Sequence, residues 1–180
     1  MIDDHIAELR AAQGRVDEAI RLAEDAADRA GRPELAQAAG DLHRHAGAPD
    51  DARAWHERAL AGYLDSARLG EVQYHHHLAE YYADPEHDGA AAVEWAERDH
   101  ALRPHYATEM ALAWALHRAG RHGEALDLTS RALASGVRDP HVLRQAGVIH
   151  TAAGRARDGE RLLAEAARLN PRHAAFHIHR

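Results

Sequence analysis

The chain has 180 residues, enough for one compact domain or one short repeat array with a real core. Its 46% apolar share is largely alanine and only 5% is aromatic, which excludes a thick sheet sandwich and suits helices packed at close range. The formal charge is −7, all the permanent cations are arginines without a basic run, and there is no cysteine, so nucleic-acid binding, disulfides and thiolate metal sites drop out.

In chain order, the apolar spacing and the turn residues predict five helix pairs. They fall at 2–13 and 16–29, 33–46 and 49–68, 71–83 and 88–102, 105–119 and 122–134, and 139–153 and 156–168. Tyr63, Leu64, Ala67 and Leu69 keep helical spacing, so the extra residues near position 65 are expected to lengthen the fourth helix rather than form a loop. No apolar run approaches the ~18 residues of a membrane span. The opening MIDDHIAELR lacks the charged and apolar regions of a signal peptide, so the expected location is cytoplasmic.

The pairs repeat one another. Gly14 is followed by Ala19 and Ala26, Gly47 by Ala52 and Ala59, Gly120 by Ala125 and Ala132, and Gly154 by Gly159 and Ala166. A poorer copy runs His87, Ala92, Asp99. Pro104 and Pro171 close two of the units, and Gly40, Ala113 and Gly147 place a small residue in the middle of a first helix, where Glu80 stands in the third unit.

This phase resembles the tetratricopeptide repeat, a helix–turn–helix unit of about 34 residues. The resemblance implies an all-α, right-handed superhelical solenoid, a single array of about five repeats at 1–32, 33–70, 71–105, 106–138 and 139–173. Residues 174–180 would form a truncated capping segment in which Phe176 and Ile178 cover the last repeat. An alanine-rich end without a polar cap self-associates in such arrays, so a homodimer through the array ends is expected.

In this family the first helix of each repeat lines the concave groove, and the resemblance carries that role to particular residues. They are Asp41, Arg44 and His45, then Tyr74, His77, Tyr81 and Asp84. Met110, Trp114, His117 and Arg118 follow, and then His141, Arg144 and Val148. The implied function is that of a non-catalytic scaffold for a protein or peptide partner, with Arg44, Arg118 and Arg144 able to fork onto carboxylates. Trp55 and Trp95, on second helices, are expected between repeats.

Seventeen histidines keep a metal reading beside the scaffold reading. His76 and Glu80, like His173 and His177, are spaced to share a helix face, and His179 aligns with His177 in an extended tail. His77 with His117 or Asp84 would need neighbouring repeats to converge. Zinc, nickel and copper all accept imidazole, so the alternative cofactor is a divalent transition metal without further choice; the primary reading has none. Ser66, Ser130 and Ser135 lie near second-helix ends, and no nucleophile or phosphate-loop motif occurs, so no catalysis is expected.

Overall fold

The computed structural model describes residues 2–171, which form ten α-helices and no strand. In order these are α1 (Ile2–Ala12), α2 (Val16–Ala30), α3 (Pro33–His45), α4 (Pro49–Arg68) and α5 (His75–Ala83). They continue with α6 (Gly89–Leu102), α7 (Tyr106–Arg118), α8 (His122–Ala134), α9 (Pro140–Ala152) and α10 (Ala156–Leu169). Each odd-numbered helix packs on the even-numbered helix that follows it, which is the predicted helix–turn–helix unit five times over. The first helix of the third pair starts later than expected, because Glu71 to Tyr74 are not helical. The extra residues before it do lengthen α4, whose Tyr63 is fully buried and donates its hydroxyl to Gln37 Oε1 at 2.8 Å.

The helices group into two compact units, one ending at Glu71 and the other beginning at Val72. In the first, Ala7, Ala19, Ala23, Ala39 and Leu42 form a core of mostly methyl groups, with Trp55 packed on it. Cores of this kind bring helix axes close together. Gly40 shows how close, since a Cβ there would lie 2.3 Å from the His56 ring.

In the second unit α5 packs on α7 and α7 on α9, so the first helices form one layer and α6, α8 and α10 the other. Leu143, Ile149, Ala113 and Ala125 are fully buried between them, and Trp95 packs on this core. Each buried leucine or isoleucine contributes about 2 kcal/mol by leaving water.

The turns within pairs follow one rule with one exception. Gly14, Gly47, Gly120 and Gly154 all take the left-handed conformation, as Gly120 does at φ 76°. His87 takes it in the third pair at φ 55°, where a side chain costs about 1 kcal/mol or more. Phe176 and Ile178, expected to cap the array, lie outside the described residues. No helix among the described residues is long and apolar enough to cross a membrane.

Candidate functional site

The third pair is also out of step by one residue. Gly40 and Gly47 are seven residues apart, as are Ala113 and Gly120, and Gly147 and Gly154; in the third pair the small buried residue is Ala79, eight residues before His87. An extra residue in the Asp84–Asp88 turn therefore leaves α6 in phase with its turn and rotates α5 relative to it. Glu80 is not the misfit at the small position, because Ala79, 2% exposed, occupies it. The α5 counterparts of Asp41, Trp114 and Val148 then become Glu80, and those of Met110 and Arg144 become His76.

This shift corrects the predicted partner face. Tyr81 is fully buried, equivalent to the core residues Leu42, Ala115 and Ile149, and donates its hydroxyl to Glu86 Oε1 at 3.1 Å. Met110, 2% exposed, belongs to the core as well. Neither side chain is presented to a partner. Tyr74 and His77 are half-buried, their rings 5.7 Å apart.

Four of the expected residues do meet. The Trp114 indole N–H donates to Asp84 Oδ2 at 3.0 Å, and Arg118 Nε lies 3.5 Å from Asp84 Oδ1 while donating to the Ala83 carbonyl at 2.8 Å. Arg118 also donates to the His87 ring. His117 stacks on Trp114 with centroids 5.1 Å apart, and its Nδ1 is 3.2 Å from Nδ1 of His122. Burial, then the neighbouring His122 and Arg118, push the His117 ring below its ordinary pKa of 6.5.

His76 and Glu80 do share a face, with Nε2 3.1 Å from the carboxylate. Glu80 outweighs the opposing effect of burial and holds His76 above 6.5. Burial would raise the Glu80 carboxyl, but His76, with His77 and His141 behind it, leaves it below its ordinary value. His75 points the other way, toward the Trp95 ring 5.3 Å off, and burial depresses it. His75 thus stands apart, whereas the His76 and His77 rings lie 5.9 Å from each other and both act on Glu80.

The predicted arginines differ in how far they are committed. In the first unit Arg44 is held by Asp41 at 2.7 Å, and Asp41 also receives His56 at 3.1 Å. Arg118 is tied as described. Arg144, on α9, is exposed and makes no hydrogen bond or ion pair with the described residues. Half-buried His141 sits one turn earlier on α9 and is close enough to act on the Glu80 charge.

Among the described residues no three His, Asp or Glu side chains are placed to hold a metal ion. Asp84 is taken by Trp114 and Arg118, and His117 by His122, so these two do not converge with His77 on a metal. His173, His177 and His179 lie outside the described residues. The serines are spent as donors: Ser66 to Glu71, Ser130 to the Leu126 carbonyl and Ser135 to that of Ala132.

Sequence reasoning missed a polar pocket of about 260 Å³ where α5 begins, α6 ends and α7 begins. Gln73, His76, Asp99, Arg103, His105 and Thr108 are among its walls. The signal was in the repeat alignment: Asp99 stands where the other four pairs carry Ala26, Ala59, Ala132 and Ala166.

No protein-family model matches the sequence, and neither does any curated protein. Among solved structures, the chain is similar to MamA (AMB-1), with 24% identity over 95% of this chain and 99% of that one and a TM-score of 0.52. It is similar to PilW, described as a widely conserved type IV pilus biogenesis factor, with 16% identity over 93% and 76% and a TM-score of 0.62. It is also similar to YrrB, described as a TPR protein with an unusual peptide-binding site, with 16% identity over 96% and 87% and a TM-score of 0.50. Likeness at this level carries the fold alone.

Proposed function

From the tetratricopeptide-repeat fold of this chain, we propose that it is a non-catalytic scaffold that binds a protein or peptide partner on the face formed by α5, α7 and α9. The observation that carries this reading is Arg144. It is exposed on that face and uncommitted, while Arg44 and Arg118 have partners within the chain. A guanidinium left free on the helix that carries His141 and Val148, one turn before and after it, suits a partner that presents a carboxylate next to an apolar or aromatic side chain. YrrB, whose description names a peptide-binding site, supports the reading only to the extent that this fold can present one.

The test is capture of a partner from the source cell on immobilised protein, followed by mass spectrometry and repetition with Arg144→Glu. A partner retained by the unaltered chain and by Arg157→Glu, on the outer α10, is expected to be lost with Arg144→Glu. Equal retention by all three contradicts the assignment of this face.

A further inference from the structure

The turn between α7 and α8 carries two histidines that no other pair repeats. His117 stands three residues before the turn residue and His122 two after it. The residues in step with them are Ala11 and Val16, Arg44 and Pro49, Asp84 and Gly89, and Thr151 and Ala156. His117 lies in the last turn of α7 and His122 opens α8, so the chain reversal at Gly120 brings the two rings together.

Their Nδ1 atoms are 3.2 Å apart and their ring centres 5.0 Å. A head-on N–H···N hydrogen bond of that length would set the ring centres about 5.5 Å apart. The shorter separation means that the two nitrogens do not point straight at each other. A single ion about 2.05 Å from each Nδ1, in line with both rings, would be seen by the pair at about 100° and would set the ring centres about 5.0 Å apart. Those are the separations the two rings already have.

The rings are held in place, and the turn that carries them is open. His117 stacks on the Trp114 indole, whose N–H is fixed by Asp84, and outer contacts of this kind orient metal-binding imidazoles. Residues 118–121, Gly123 and Glu124 are exposed, and a Cβ on Gly123 would meet nothing within 4 Å, so an ion has a way in from solvent. The neighbouring cations are engaged elsewhere, Arg118 with the Ala83 carbonyl and Asp84, and Arg121 with both oxygens of Glu124. Burial, with His122 and Arg118 beside it, favours the neutral His117 ring, which is the form a metal takes.

We propose that His117 and His122 form a two-imidazole chelate for a divalent transition-metal ion. Structural metal centres use four protein ligands; here the chain supplies two nitrogens and water fills the other positions, which suits reversible capture. Without the ion, a proton on one Nδ1 bridges the pair. With it, that proton passes through solvent to Nε2 of the same ring, and both rings become Nε2–H tautomers. The site uses neither His141 nor Arg144 and its test needs no partner, so it stands or fails separately from partner binding on the α5–α7–α9 face.

The test is titration of the full chain, isotopically labelled in its histidine rings, with zinc chloride at pH 7, observing the ring nitrogens by NMR. The His117 and His122 Nδ1 resonances are expected to shift together and to saturate at one apparent affinity. His122→Gln should weaken binding at His117 about tenfold or more, and His117→Gln should do the same at His122. His122→Gln leaves the Trp114 stack in place, and circular dichroism checks the fold of both variants. A zinc shift of His117 undiminished in folded His122→Gln overturns the proposal, because a lone imidazole then accounts for it. So does a titration of the unaltered chain in which the two Nδ1 resonances do not move together.

Discussion

The α5–α6 and α7–α8 pairs share one plan and differ in how closely they keep it. The α7–α8 pair turns on Gly120, buries Ala113 and Ala132 at its small positions and caps α7 with His105 and Thr108. The α5–α6 pair turns on His87, carries an extra turn residue, replaces the last alanine with Asp99 and gives α5 no side-chain cap. Asp99 and the uncapped start of α5 lie at the polar pocket, whereas the His87 turn lies at the opposite ends of the same two helices. Local rules broken in one repeat while its neighbour keeps them mark a repeat shaped by something other than stability.

The sharpest break in the comparison comes from two glycines near the starts of the second helices. A Cβ on Gly89 would lie 2.6–2.8 Å from backbone atoms of Arg118 and Ala119, whereas one on Gly123 meets nothing within 4 Å. Chemical denaturation should therefore show Gly89→Ala destabilising by about 3 kcal/mol. Gly123→Ala, by contrast, should stabilise by about 0.5 kcal/mol, because alanine is the better helix former. Between these in size, Trp114→Phe removes the indole donor to Asp84 and is expected to cost about 1 kcal/mol in the same assay. His87→Gly relieves the left-handed side chain and should stabilise by about 0.5 kcal/mol; the matching Gly120→His should destabilise.

The smallest effect separates the pairs by pH. In an NMR titration His76 should titrate above 6.5 and His117 below it. His76 binds its proton more tightly folded than unfolded, so its contribution is fully present below pH 6.5 and is lost as pH rises through the folded value. His117 does the opposite, and its contribution is lost as pH falls from 6.5 through its depressed value. A His76 titration below that of His117 would break the contrast.

Much of the fold was legible because the repeat restates it. Gly14, Gly47, Gly120 and Gly154 each need the same left-handed turn, and the alanines after them fix the phase of each second helix, so the helices fall where the spacing puts them except α5, which starts late at His75. The site was less legible for a physical reason. Aligning the third unit on its turn residue, His87, assigns α5 a phase one residue away from the one its packing adopts. On a helix one residue is about 100° of rotation, enough to exchange buried Tyr81 for Glu80. Met110 was misplaced for a different reason, since its position is on the presented face in α9 but is covered in α7. Asp99 was visible as an irregularity in the alanine column, but no periodicity argument says that its Oδ2 lacks a partner.

The central claim, that partners meet the first-helix layer, is tested most directly by hydroxyl-radical footprinting of the chain with and without its bound partner. The account predicts protection of Trp114 on α7 and His141 on α9, with Trp95 on α6, beneath the Arg98 guanidinium, unchanged. Protection of Trp95 with Trp114 and His141 left as reactive as in the free chain would contradict it.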